Sequence, residues 1–307
     1  MSITSIGIRI IRAFFTVFLL VTFVFVILRL SGDPAIQMLG IDVDPSALAA
    51  FRERWGLDKS LWEQYFSYLI NLTQGDFGYS FIGDRPVWDV VVERLPKTLA
   101  LMGLTTILTL GIGITAGIYA ALNRNTAADR ITMGISVASF SLPNFVVGIF
   151  LILIFGVMLR WLPTSGSETA LHYVLPVLTM ATADAAIFAR FSRSAMLEVL
   201  SSPFMRTARA KGLLWSQAVR RHALPNASIP IITIGGIYVG RQIAAATITE
   251  NVFAWPGIGQ LLVLSVENRD LAVVQCIVIL VGVTMVITNL LVDIAYGWID
   301  PRTKKEA

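Results

Sequence analysis

The chain has 307 residues, of which 55% are hydrophobic and only 14% charged, with a mean hydropathy of +0.72 and a formal net charge of +4. Soluble domains carry about 25% charged residues, so this composition excludes an ordinary soluble protein and points to a membrane protein. One cysteine, Cys276, inside an apolar run excludes a disulfide framework, and two histidines, His172 and His222, argue against a histidine metal cluster.

Arg9 and Arg12 precede an apolar run from Ala13 to Leu28. It is longer than the apolar region of a secretory signal and no small-x-small cleavage site follows, so it reads as an uncleaved first span with its N-terminus in the cytoplasm. Residues 31–96 are the polar part of the chain, with ten acidic residues. Apolar residues such as Leu61, Tyr65, Tyr68 and Leu69 are spaced there for small amphipathic helices. This stretch is expected to fold as a small helical lobe outside the membrane. Residues 1–30 then form the N-terminal end and first span, and 97–307 the core.

Five further spans are predicted at about Leu99–Leu122, Ile131–Leu159, His172–Phe191, Ala227–Thr249 and Leu271–Tyr296. Each has the roughly 20 residues a bilayer needs, and the second of these five is long enough to tilt. Six spans return the C-terminus to the starting side. Thirteen Lys and Arg residues fall on the predicted inside, among them Arg124, Arg130, Arg193, Arg302, Lys304 and Lys305. The short outer loops offer Arg160 and Arg269, so the positive-inside bias agrees with the parity. The basic excess thus faces anionic lipid and cytoplasmic partners, which disposes of a nucleic-acid reading. Gly113-x-x-x-Gly117 and Gly236-x-x-x-Gly240 mark places where helices approach closely. Pro143 and Pro176 are expected to bend their helices.

The most informative stretch is Ser201–Pro225, SSPFMRTARAKGLLWSQAVRRHALP, within a cytoplasmic loop of residues 193–225. Ser202 can N-cap a helix whose first position is Pro203, and Gly212 supplies the stop. That helix, about nine residues or roughly 14 Å long, is too short to span. Trp215–Leu224 reads as a second short helix closed by Pro225. Arg206, Arg209, Lys211, Arg220 and Arg221 keep the segment out of hydrocarbon. Ala208 and Gly212, four apart, leave one side nearly bare for another protein to approach.

At these residues the chain resembles the inner-membrane subunits of binding-protein-dependent ABC importers, whose loop has the form Glu-Ala-Ala, three residues, Gly, nine residues, Ile, one residue, Leu-Pro. Ala208, Gly212, Leu224 and Pro225 match, while Arg206, Thr207 and His222 depart. The departures resemble the peptide/nickel permease branch, whose loop reads Arg-Thr-Ala-Arg-Ala-Lys-Gly, as at Arg206, Thr207, Ala208, Arg209, Ala210, Lys211 and Gly212. Gly32–Pro34, Gly75–Phe81 and the Trp-Pro-Gly-Ile-Gly run between Glu250 and Asp270 are similar to that family as well. The charges at both ends of the last segment suggest a loop lying at or dipping into the outer interface.

The resemblance implies an all-α integral membrane protein of the type I importer permease fold, in a bacterial inner membrane with both termini cytoplasmic. It implies a second, homologous permease chain, two ATP-binding subunits or domains that grip the Ser202–Pro225 loop through Arg206–Gly212, Leu224 and Pro225, and an extracytoplasmic substrate-binding protein. The expected cargo is di- or oligopeptides; nickel chelates, glutathione and opine-like solutes travel through similar permeases. No phosphate-binding loop and no nucleophile or zinc motif occurs, so ATP and Mg are expected on separate subunits, with no cofactor, metal or catalytic residue here.

Charges within spans are costly and so mark candidates for the translocation path. Asp184, Arg241 and Gln242 are the deep ones; Arg190 and Asp293 sit near the inner boundary. Path-lining and a structural ion pair between Asp184 and Arg241 are both open readings. A stand-alone, ion-coupled secondary transporter is the rival of another class; it accounts for the spans and buried charges but not for the capped cytoplasmic helices, and no inverted repeat is evident.

Overall fold

A computed structural model describes the backbone of residues 3–299 except 31–33, 41–42, 55 and 81. It describes the side chains of these residues save 3–6, 28, 34, 37, 38, 54, 140 and 293–299. Gly32, Asp33, Phe81, the Asp293 side chain and the basic residues Arg302, Lys304 and Lys305 therefore lie outside the described set.

The chain is helical almost throughout. Helix α1 (Ile3–Leu30) is followed by the short helices α2 (Pro34–Leu39), α3 (Pro45–Arg54) and α4 (Leu61–Thr73). A two-residue antiparallel hairpin follows, Tyr79–Ser80 against Arg85–Pro86, with Tyr79 opposite Pro86. Helix α5 (Val87–Leu122) starts there and runs through Pro96, so it continues unbroken past the point where the sequence ends the polar stretch. At 36 residues it is about 54 Å long, well beyond a bilayer core of about 30 Å.

The next span is the one that differs most from expectation. Instead of a single tilted helix, α6 (Ala127–Ser141) and α7 (Asn144–Leu151, continued as a π turn over Ile152–Met158) meet at 98°. Leu142 is extended (φ −104°, ψ 132°), the conformation a following proline favours, and Pro143 then starts the second segment. Pro176 does not interrupt its helix. It lies in the first turn of α8 (Val174–Ser201), where a missing N–H costs nothing. After α8 come α9 (Pro203–Ala210), α10 (Trp215–Ala218), α11 (Leu224–Val252), α12 (Ile258–Glu267) and α13 (Leu271–Ile299). Among the described residues five helices are long and apolar enough to cross a membrane, or six if the bent pair is one span.

The small residues seat the crossings. A side chain on Gly113 would come within 2.6 Å of Phe188 Cβ, and one on Gly117 would fall on the Ala189 carbonyl, so α5 and α8 approach backbone to backbone. Between α11 and α13 the fit is against side chains: Gly236 makes room for Val292, and Gly240 lies beside Asn289. The core is divided along the bundle. One cluster lies where α8, α9 and α11 meet, around Met196, Met205 and Ile231. A second is in the middle around Leu101, Met180 and Trp255. A third, at the end bearing α12, gathers Val87, Ile258 and Ile277. Residues 201–225 define the basic end of the molecule, and α12 the far end.

Candidate functional site

Helix α8 runs on past Phe191, where the sequence ends the span, and delivers the basic segment rigidly. Ser202 takes the extended geometry of a cap (φ −70°, ψ 152°), but its hydroxyl donates back to the Val199 carbonyl at 2.5 Å. It therefore closes α8 and does not cap α9 with its side chain. Pro203 supplies the first turn of α9. Gly212 ends it at φ +88°, a left-handed conformation glycine adopts freely, with its N–H donated to Arg209 O at 2.9 Å.

Which side of α9 faces outward departs from the sequence reading. Met205 belongs to the chain's own core cluster and Ala208 is buried on the same helix, so Ala208 offers no bare surface to another protein. The free face carries Arg206, Thr207, Arg209, Ala210 and Lys211, and Gly212 opens onto empty space. Phe204, Leu214 and Trp215 are exposed beside it, with the Arg209 guanidinium 5.4 Å from the Trp215 ring centre.

Pro225 does not close the second short helix. Helix α10 passes through a π turn, Val219–Ala223, directly into α11, with Leu224 half-buried and Pro225 exposed in the first turn. Proline cannot donate to the ladder and clashes with the carbonyl four residues back; one wide turn just before it absorbs both faults.

Near this end Arg193 of α8 grips Asp129 of α6 with two bonds, Nε to Oδ1 at 2.6 Å and NH2 to Oδ2 at 2.8 Å. Asp129 is 3% exposed and also accepts the Asn125 N–H at 2.9 Å. The bidentate pair ties the start of α6 to the helix that carries α9. Its sequence signal, a lone aspartate two residues past a loop, is too common to single out.

The deep polar residues separate into two groups. Gln242 is buried, 2% exposed, and turned into its own bundle. Its amide donates to Met102 O at 3.1 Å and Tyr238 Oη at 3.0 Å, and its oxygen accepts the Thr106 hydroxyl at 2.9 Å. It locks α5 to α11, which corrects its reading as a path residue. Arg241, one residue earlier, is exposed on the other side of α11, and Asp184 of α8 is half-buried. The two lie close enough to attract, yet no direct ion pair joins them among the described residues.

The far end holds a constellation that the sequence reading missed. Glu250 is wholly buried within the protein. Its carboxylate accepts N–H groups from Gly259 at 2.6 Å and Gln260 at 3.1 Å, and the Thr98 hydroxyl at 2.6 Å. Thr98 in turn accepts the Ile258 N–H at 2.8 Å, and Trp255 donates its indole N–H to Lys97 O at 3.2 Å. A carboxylate thus occupies the start of α12, where unpaired N–H groups and the helix dipole both favour an anion. Side chains at Gly257 and Gly259 would fall on Glu250 and Thr247, which explains the two glycines of Trp-Pro-Gly-Ile-Gly. Asp270 is likewise buried, accepting the Ser80 hydroxyl and the Val273 N–H, and so fastens Ser80 to the start of α13. The available signal was an acid a few residues before closely spaced glycines.

Comparison with known proteins follows the same outline. Residues 113–305 match the family described as binding-protein-dependent transport system inner membrane component, and 4–102 match the N-terminal part of such membrane components. The glutathione transport system permease protein GsiC of Shigella flexneri serotype 5b is 42% identical over 287 residues, covering 93% of this chain and 94% of that protein. GsiC of Escherichia coli K12 has the same identity and coverage. Among solved structures, the MetNI methionine ABC transporter in inward-facing form aligns with TM-score 0.59 at 20% identity, over 69% of this chain and 96% of that one. An amino acid ABC transporter with histidines aligns with TM-score 0.52 at 18% identity, over 68% and 93%. Both share the fold.

Proposed function

This chain belongs to the inner-membrane components of binding-protein-dependent transport systems, and on that premise we propose that it forms, with a second permease chain, the path for ATP-driven uptake of peptide-like solutes. It is the permease subunit of an ABC importer, a multi-pass protein of the inner membrane that works with ATPase and substrate-binding partners. Two ATPase domains, carrying ATP and Mg, would bind α9 from the cytoplasm. Both termini would face that side, and the substrate-binding protein would dock where α12 lies.

The observation that carries this reading is the seating of α9. Its inner side is seated in the core through Met205, with Ala208 buried beside it, its outer side presents Arg206, Arg209 and Lys211, and α8 enters it through a single extended residue. A push on that outer face moves α8 and, through Arg193 and Asp129, α6. Closure of the ATPases would then tilt both helices together and alternate access from the two sides. Arg241 and Asp184, charged but not directly paired, are the path-facing candidates, since a charge left exposed at mid-span is tolerated only against water or a partner.

For cargo, the named relatives favour glutathione, which is itself a tripeptide, with di- and oligopeptides as the wider class. Proteoliposomes holding the assembled importer provide the test. ATP-dependent uptake of labelled glutathione, stimulated by the loaded binding protein and competed by short peptides, is the expected result. Uptake by the lone chain without ATP would overturn the mechanism; uptake of neither solute class by the assembled importer would overturn the cargo.

A further inference from the structure

Helix α4 is largely apolar and carries one charge, Glu63, which together with Ser60 closes a capping box at its start. Yet none of its residues is fully buried. Trp62, Phe66 and Ile70 are spaced four apart and so form one stripe, 73%, 58% and 56% exposed. The opposite side is occupied differently: Gln64, Ser67, Tyr68 and Asn71 line a cavity of about 400 Å³ shared with α1 and α13. A bare aromatic stripe on a surface bathed in water would invite aggregation.

The depth of α4 follows from its contacts with α1. Tyr65 shares a hydrogen bond with Thr22 at 2.7 Å, and the Phe25 ring meets those of Tyr65 and Tyr68 at 5.2 and 5.5 Å. Thr22 and Phe25 lie within the apolar span Gly7–Ile27. Thr22 is eight residues before the end of α1 at Leu30, about 12 Å along the axis. So α4 meets α1 five residues, about 7.5 Å, inside the end of its apolar span at Ile27. Helix α1 likewise exposes Phe18, Phe23 and Val26.

We propose that α4 is an interfacial helix, with Trp62, Phe66 and Ile70 seated in the phospholipid leaflet beside α1 and the capped, polar edge turned to water. Its chemistry fits that occupant: an amphipathic helix lies about 5–10 Å into the headgroup boundary, and tryptophan is favoured at that depth. The 31–96 stretch is then pinned to the membrane surface and does not stand free of it. The topology proposed above enters only in naming the leaflet as the extracytoplasmic one.

The test is a depth measurement on the assembled importer in liposomes. Spin labels are placed singly through Phe66→Cys, Ile70→Cys and Asp58→Cys in a Cys276→Ala background. At positions 66 and 70 the ratio of oxygen to water-soluble nickel-chelate collisions is expected to exceed that at position 58 several-fold. A ratio at 66 and 70 no greater than at 58, meaning water, overturns the proposal. So does exclusion of both reagents, meaning cover by another protein. Reduction of the labels by impermeant ascorbate reads sidedness separately, so a wrong topology and a wrong depth are told apart.

Discussion

At the far end two carboxylates, Glu250 and Asp270, are buried and hydrogen-bonded, whereas at the basic end Arg206, Arg209, Lys211, Arg220 and Arg221 all stand exposed. The same contrast holds for glycine. Gly257 and Gly259 have no room for a side chain, while Gly212 faces open space and is needed only for its backbone angle. One end is closed against itself; the other turns its charges outward, on the face where an ATPase is proposed to dock. Substitutions at the far end should therefore cost stability and activity together, and substitutions on α9 should cost coupling while the chain stays folded.

The largest effect is expected from Glu250→Ala. It strands the N–H groups of Gly259 and Gln260 and the Thr98 hydroxyl in a dry site, at about 1–3 kcal/mol for each donor left unmade. Thermal unfolding of the detergent-solubilised complex should fall markedly, with protease sites opening between residues 252 and 270. An unchanged melting temperature would mean that water replaces the carboxylate and the far end is not closed in the sense argued.

Arg193→Met comes next, because it lies at the basic end yet belongs to the buried kind. Loss of a two-bond guanidinium contact leaves Asp129 charged and 3% exposed, a cost of about 2–3 kcal/mol. Stability should drop even though α9 itself is untouched, and the double variant with Asp129→Asn should recover part of it. If Arg193→Met lowered binding-protein-stimulated ATPase with no loss of stability, the line between the two ends would have to be redrawn around α8.

How much of this was readable beforehand follows the same division. The spans, the close approach at Gly113 and Gly117, and the Pro203-to-Gly212 helix were legible because local chemistry dictates them: apolar length, missing side chains and a left-handed stop. Three features were not. Ala208 turned inward because burial depends on what lies beneath a helix, and small size alone does not say which way it faces. Pro225 failed to end a helix because a π turn, invisible in composition, took up its misfit. The burial of Glu250 is hidden in the sequence because its partners, Thr98 and the α12 amides, lie 152 residues away or depend on a turn already being folded. Gln242 beside Arg241 shows the general limit: adjacent residues on a helix point about 100° apart, and only the neighbours decide which is locked inside.

Gly212→Asp should cost little stability, about 1 kcal/mol for a side chain in the left-handed region, since nothing lies within 4 Å of the new Cβ. Its effect should fall on assembly, by placing a bulky anion among exposed cations where an ATPase would seat. The measurement is the ratio of stimulated ATPase to melting temperature, which should fall for Gly212→Asp and hold for far-end variants. Full stimulation by the mutant with its partners would remove α9 from the coupling surface.

The smallest and most discriminating change is Arg209→Ala. An exposed guanidinium over an exposed indole is worth about 0.5–1 kcal/mol, so folding should be nearly unaffected. Trp215 would lose the cation that holds it beside α9, and the outer face would lose one of its three charges at 206, 209 and 211. If that face is read electrostatically, the association rate with the ATPase should fall and become less sensitive to salt, while Arg209→Lys restores the charge but not the planar stacking. Lysine rescue of the rate would assign the role to charge; rescue failing with both variants would assign it to the stacked ring, and the docking surface would then extend from α9 onto α10.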